Sequence, residues 1–215
     1  MQENFTLIKN QALLKLTPYF DNMARDIYYP GDRFKAISRF TVIDDKVTIL
    51  PHQGYIQTQY FNSVAGNIVR DYPPINECLT SHSACSDLLK LAAGITHSPS
   101  SAVYTLHQHR ALTMKGQESI TVPEGKHQDG YEYVLLCCIA RHNIVGGITS
   151  LYVGKQDDSK QVFKKILLEG EIVLVKDNVL YHYTTPVMHL NDELGYRDIL
   201  VVTISQKGLT DVPVS

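Results

Sequence analysis

The sequence predicts a mainly β fold, a sandwich or barrel concentrated in the second half of the chain, with short helices flanking it from the first half. Three observations lead there. After residue 101 short apolar runs alternate with turn-forming residues; a hairpin pattern occupies residues 40–50; and, a short turn at 163–168 apart, helical spacing falls in stretches before Gly94.

Residues 5–25 set Leu7, Ala12, Leu13, Leu16, Tyr19 and Phe20 at mostly helical intervals, interrupted near Pro18, which predicts one or two short helices packed on a sheet. From Phe34 the pattern turns to β. Phe40-Thr41-Val42-Ile43, a turn at Asp44-Asp45-Lys46 and Val47-Thr48-Ile49-Leu50 together make a hairpin. Residues 55–62 suit a further strand, 62–69 fit no single element, and Pro73-Pro74 ends that region. Cys85-Ser86-Asp87 suits the cap of a helix over 88–93 that closes at Gly94, followed by a loop at 96–101. Strands are expected at 103–114 and 131–140, and Gly146-Gly147 separates the second of these from another at 148–153. A polar loop covers 155–160, and 163–168 suits a helical turn. Residues 171–175 form a strand before the turn Lys176-Asp177-Asn178, and 198–204 are strand-like again.

A length of 215 residues suits a single domain over 1–215, with 1–100 as a helical and β support region and 101–207 as the β core. Apolar content of 44% and charged content of 20% are those of an ordinary globular protein. A net charge of −2 gives no basic footprint for nucleic acid. No apolar run approaches the ~20 residues of a membrane helix, and Met1-Gln2-Glu3-Asn4 lacks the basic and apolar regions of a signal peptide, so a cytoplasmic protein is expected. The four cysteines fit neither a disulfide framework nor a zinc ribbon and read as small core residues in a reducing compartment.

Chemistry concentrates in Pro123-Glu124-Gly125-Lys126-His127-Gln128-Asp129-Gly130. In an extended segment side chains two apart share a face, so His127 and Asp129 can grip one metal ion. His182, in the stretch Tyr181-His182-Tyr183-Thr184-Thr185-Pro186, supplies a third ligand. Two histidines and a carboxylate suit non-haem Fe(II) with open coordination positions. Arg197 opens the last strand-like run, where an arginine fork can hold a carboxylate bidentately.

The ordered set His127, Asp129, His182 and Arg197 resembles the Fe(II)/2-oxoglutarate-dependent dioxygenases with a double-stranded β-helix, a jelly-roll or cupin-like core. The likeness is closer to the bacterial branch that includes L-isoleucine 4-hydroxylase and acts on free amino acids. It is carried by His107-Gln108-His109-Arg110, the 123–130 motif, Asn143 with Gly146-Gly147, His182 with Thr185-Pro186, and Gly195-Tyr196-Arg197-Asp198. Weaker echoes lie in Gly31-Asp32-Arg33-Phe34, Ser38-Arg39-Phe40 and residues 66–74. The resemblance implies Fe(II) held by His127, Asp129 and His182 as the catalytic centre, 2-oxoglutarate anchored by Arg197, and O2 as oxidant. It further implies decarboxylation of 2-oxoglutarate to succinate with hydroxylation of a free L-amino acid or similar small molecule. Related halogenases lack the carboxylate that stands here as Asp129, so oxygenation rather than chlorination is expected.

Other assignments stay open at this point. His189 is a rival third ligand, but only His182 fits the family's spacing to Thr-Pro. His107 and His109 share a strand face as a cupin-type pair does, yet Ala111-Leu112-Thr113-Met114 supplies no glutamate after them. Many relatives carry Ser or Thr two residues after the arginine where this chain has Ile199, which leaves the rest of the 2-oxoglutarate cradle unassigned. Arg110, Glu124, Tyr131, Tyr133, Arg39 and Arg33 are candidates for the pocket or substrate. Two other functions compete: the same chemistry on a peptidyl side chain or biosynthetic intermediate, and a cupin-like module that binds a metal or ligand without oxygen chemistry.

Overall fold

The long apolar runs of the second half become strands of one seven-stranded antiparallel sheet. The computed structural model describes residues 4–29 and 31–206. Its strands are β1 (Phe5–Lys9), β2 (Arg33–Ile43), β3 (Lys46–Ile49), β4 (Val103–Thr113), β5 (Glu118–Ser119), β6 (Tyr133–His142), β7 (Ile144–Gly146), β8 (Ile148–Tyr152), β9 (Gln161–Ile166), β10 (Glu171–Lys176), β11 (Tyr181–Thr184), β12 (Val187–His189) and β13 (Gly195–Ser205). A 3-10 helix spans Gln11–Phe20, and two α-helices are α1 (Glu77–Thr80) and α2 (Ser83–Thr96). The large sheet runs β1-β10-β6-β13-β4-β2-β3, and two three-stranded sheets, β11-β8-β9 and β5-β12-β7, complete the fold. This is the expected mainly β architecture, a double-stranded β-helix with flanking helices.

Alternation along the strands gives the large sheet two different faces. Leu135, Cys137 and Ile139 of β6, with Leu200, Val202 and Ile204 of β13, turn outward to Leu13, Leu16, Phe20, Leu88 and Leu89 of the helices. Each such fully buried side chain contributes about 1.5–3 kcal/mol of hydrophobic stabilisation. Val134, Leu136 and Cys138 turn inward and pack with Leu151 of β8 and with Leu167 and Leu180. Further along, the inner face stops being apolar. There β2 presents Arg33 and Lys35, β4 presents His107 and His109, and β13 presents Arg197, all buried or nearly so.

The hairpin is where the sequence put it, with Asp44 and Asp45 both at positive φ, 48° and 60°, as a tight two-residue turn requires. Several elements differ from expectation. Residues 5–9 form β1, not a helix, because they pair with 171–175, a partner that local spacing cannot reveal. Residues 163–168 lie mostly in β9, an edge strand held by β8, with Phe163 against Phe5. Residues 55–62 are not a strand; only Tyr55 is bridged, to Arg70. The helix predicted over 88–93 starts at Ser83, where the Nδ1 of His82 accepts the Ala84 N–H, and runs through Gly94 to Thr96. All four cysteines are free; Cys85, Cys137 and Cys138 are in the core as expected, whereas Cys78 is exposed. No helix among the described residues is long and apolar enough to cross a membrane.

Candidate active site

His127 and Asp129 do not lie in a regular strand, contrary to the sequence reading; they sit in the loop before β6. What aligns them is a single antiparallel bridge in which the His127 N–H donates to the His182 carbonyl at 3.1 Å and the His182 N–H returns the bond at 2.9 Å. Directly opposed residues share a face, so the two rings meet with centroids 4.3 Å apart. Asp129 completes the cluster, with Oδ1 3.4 Å from His127 Nε2 and Oδ2 3.5 Å from His182 Nε2.

The residues fit a metal ion. One donor atom from each of the three lies within 4.8 Å of the others. Ligand bonds of about 2.1 Å at right angles would separate donors by about 3 Å, near the spacing seen. His127 Nδ1 lies 2.9 Å from the Gly125 carbonyl, which fixes the proton there and leaves Nε2 bare for a metal. His182 Nε2 is buried without a hydrogen bond. Burial opposes charge on Asp129, but His127 and His182 outweigh it and hold the carboxyl well below its ordinary range. Burial likewise works against protonation of His182, yet Asp129 and Asp177 overcome it and raise the imidazole to about 10. A pocket that polarises both partners this strongly is one that a cation can enter in place of the proton.

Asp177, fully buried, shapes the loop. Its Oδ2 accepts from the backbone N–H groups of Asp129 at 2.8 Å, Gly130 at 2.9 Å and Tyr131 at 3.3 Å, while Oδ1 stands 3.2 Å from His182 Nε2. Gly130 has φ +90°, and a Cβ there would sit 2.7 Å from the Phe61 ring, so only glycine lets the chain turn behind Asp129. Gln57 adds a bond from Nε2 to the Asp129 carbonyl at 3.1 Å.

Arg197 lies on the inner face of β13, 3% exposed, with its Nε unpaired and no carboxylate in ion-pair range among the described residues. Burial, aided by Arg141, lowers it to about 10, which leaves it charged at neutral pH. A Cβ at Gly147 would stand 3.2 Å from Arg197 Cδ, so the bare backbone there makes room for the arginine stem. Arg197 and the three-residue cluster line one cavity of about 940 Å³, counting its open mouth. A buried cation without a counter-ion facing a cluster of metal-ligand type is what a chelating dianion needs at its far end.

The remaining candidates scatter. Arg110 borders the cavity, but its guanidinium is spent on Asp198, with bonds of 2.7 and 2.8 Å, and on Asp21 at 2.9 Å. Asp198 pairs across the sheet with Arg110, and Arg197 with Ala111, so Asp198 is not the partner of Arg197. Glu124 lines the cavity and accepts from Tyr29 at 2.8 Å and Asn62 at 3.0 Å. Tyr133 packs toward the helices, Tyr131 joins the Ile37–Tyr55–Tyr72 cluster, and Arg39 lines a separate cleft near Pro51. His189 is in β12, outside the cluster. His107 and His109 line the cavity as uncharged imidazoles, pushed well below their ordinary range by burial and then by Lys35. Ile199 stands in the wall beside Arg197, and hydroxyls enter instead from Thr121 and Thr184.

Sequence reasoning missed Asp177, Lys35, Arg70, Tyr29, Gln57 and Asn62. Arg33 and Lys35, two apart and on one face of β2, were a readable sign of a polar inner face; Arg70 lay within the 66–74 echo without being singled out, and Asp177 carried no local sign.

Residues 17–203 match the 2OG-Fe dioxygenase family. The chain is 25% identical over 203 residues to the 3(1)-hydroxy-L-isoleucine 4-dioxygenase of Pantoea ananatis, covering 90% of this chain and 81% of that protein. It is 25% identical over 215 residues to the L-isoleucine-4-hydroxylase of Bacillus thuringiensis, covering 96% and 86%. Among solved structures, a bsmA homologue from Methylobium petroleophilum superposes with a TM-score of 0.81 at 22% identity, covering 97% of this chain and 91% of that one. IDO from Bacillus thuringiensis gives 0.77 at 18% identity, covering 95% and 91%. The chain belongs to the 2OG-Fe dioxygenase family, and is an enzyme that uses Fe(II), 2-oxoglutarate and O2.

Proposed function

We propose that this dioxygenase hydroxylates a free L-amino acid or a similar small molecule, with His127, Asp129 and His182 as the iron ligands and Arg197 as the 2-oxoglutarate anchor. The observation that carries the reading is the shape of the single cavity that these residues share. Its wall offers a carboxylate, Glu124, and buried cations on β2 in addition to Arg197, so a zwitterion has complementary groups for both of its charged ends. The names of the two isoleucine-oxidising relatives point the same way.

Fe(II) held by His127, Asp129 and His182 would activate O2, the oxidant, so that one of its oxygen atoms would end in succinate as CO2 leaves 2-oxoglutarate and the other in the new hydroxyl. The chain's own residues position. Arg197 fixes the far carboxylate of 2-oxoglutarate, and Leu136, Ile199 and Val201 exclude water around it. The Asp177 carboxylate holds the backbone behind Asp129 so that the ligand set is preorganised. Glu124, braced by Tyr29 and Asn62, accepts from the substrate ammonium.

We place the enzyme in the cytoplasm as one domain, residues 1–215. Free cysteines and an Fe(II) requirement support that compartment. The domain reading is supported by the pairing of β2, from the first hundred residues, along β4 of the core. The test is aerobic incubation with a panel of L-amino acids, read by mass spectrometry. A gain of one oxygen coupled to succinate is expected; no oxygenated amino acid would refute the reading.

A further inference from the structure

Resting on the free amino-acid reading, we propose that the substrate's side chain carries a second anionic group, so that the enzyme oxidises an acidic amino acid rather than an aliphatic one. The observation is a surplus of buried positive charge at the β2 end of the cavity. Arg33 and Lys35 project from the inner face of β2, and Arg70 enters from the segment bridged to Tyr55; their exposures are 8%, 6% and 1%. Two carboxylates stand beside them. Asp26 approaches Arg33 at 3.9 Å, and Glu124 is engaged by Tyr29 and Asn62. Among the described residues neither Lys35 nor Arg70 has a carboxylate within ion-pair range.

What these two cations touch is neutral. The Lys35 ammonium lies 4.6 Å from the Tyr72 ring centroid and 5.5 Å from that of Tyr55. The Arg70 guanidinium donates to the Tyr29 hydroxyl at 3.0 Å and to Gln57 Oε1 at 2.9 Å. Burying a cation without a counter-ion is strongly unfavourable unless an anion arrives to match it. Burial, with Arg33 and Arg70 alongside, draws Lys35 down to about 7, and a bound anion would restore its charge.

A charge count then separates the substrate classes. Asp26 offsets one of the three cations, and the substrate's α-carboxylate offsets a second while its ammonium meets Glu124. One cation is left, and Asp129 is committed to the metal. Hydrocarbon would cover that site and favour loss of the Lys35 proton; a side-chain carboxylate or other anion would keep the ammonium charged and pair with it. The wall agrees. Apart from Val122, the aliphatic lining comes from Ala111 of β4, Leu136 of β6, and Ile199 and Val201 of β13, and none of it from β2. The β2 end is walled by tyrosine, asparagine, glutamine and histidine.

The test compares L-aspartate, L-glutamate and L-2-aminoadipate with L-isoleucine, L-leucine and L-methionine on the iron-loaded enzyme under air. Amino-acid oxygenation and succinate are both measured. An acidic amino acid is expected to be preferred at least about tenfold in kcat/KM. Lys35→Met should raise its KM about 10- to 100-fold, the worth of one charge-assisted bond, while the KM for 2-oxoglutarate stays near that of wild type. Equal or better turnover of isoleucine or leucine by wild type would overturn the inference and leave the free amino-acid reading standing. Oxygen on no amino acid of either kind, with 2-oxoglutarate still bound, would overturn both. The wild-type panel decides by itself if the variant does not fold.

Discussion

The two faces of the large sheet are built from the same strands and obey opposite rules. Outward, β6 and β13 meet helices through Leu135, Ile139, Leu200 and Val202, and the charge of Arg110 is met there by a bidentate bond to Asp198. Inward, one residue along from Asp198, Arg197 is buried without an acid to meet it among the described residues, and Lys35 likewise. A fold that pairs Arg110 on one face yet leaves Arg197 unpaired on the other holds that unpaired charge in reserve for a ligand. The contrast teaches where to look for function: not for charge as such, but for buried charge whose partner the chain does not supply.

The sharpest way to break the contrast is to damage the inner face without touching the outer. Asp129→Ala removes the carboxylate that both histidines face. Turnover should fall to background while the melting temperature, set largely by the helix-packed core, changes little; undiminished hydroxylation would remove Asp129 from the ligand set. Wild type in chloride-rich buffer should give oxygenated and not chlorinated product, read by mass.

The converse substitution is Leu88→Ala, at a fully buried position between α2 and the sheet. It should cost about 2–5 kcal/mol of stability by denaturant titration, with the 2-oxoglutarate affinity of the remaining folded protein unchanged. A large loss of affinity would mean that the two faces are coupled.

A smaller effect sharpens the inner face further. Asp177→Asn keeps the shape of the side chain but removes the charge that holds the Asp129 loop. Metal affinity should weaken about 10- to 100-fold, as for other outer-shell partners, measured by Mn(II) titration as a stand-in for Fe(II). No change would reduce Asp177 to a loop staple with no bearing on the ligands.

Much of this was legible in the sequence, and the limits have a physical pattern. Strands whose pattern is local, such as residues 133–142 and 195–205, could be read from apolar runs, and so could the hairpin turn. The strand at residues 5–9 could not, because its reason for existing lies at residues 171–175. The candidate ligands were visible as residue types at a familiar spacing, though the regular strand expected beneath His127 proved to be a two-bond bridge to His182. Tyr133 shows a limit of another kind: proximity in sequence to the motif suggested the pocket, while strand alternation sends it to the helix side. Arg70 fell inside the weak echo at 66–74 but, like Asp177, was not picked out, since nothing around either in sequence distinguishes a buried cavity residue from a solvated one.

The most direct test of the inner-face site is anaerobic titration of the Fe(II)-loaded protein with 2-oxoglutarate, followed by visible absorption, in wild type and Arg197→Ala. Chelation of Fe(II) by the oxo-acid gives a charge-transfer band in the visible. Wild type should develop that band and saturate. Arg197→Ala should need on the order of a hundredfold more 2-oxoglutarate, the equivalent of about 3 kcal/mol for a lost charge-assisted contact, while still binding metal. No band in wild type, or identical titration curves for the two proteins, would contradict the assignment of the triad and of Arg197.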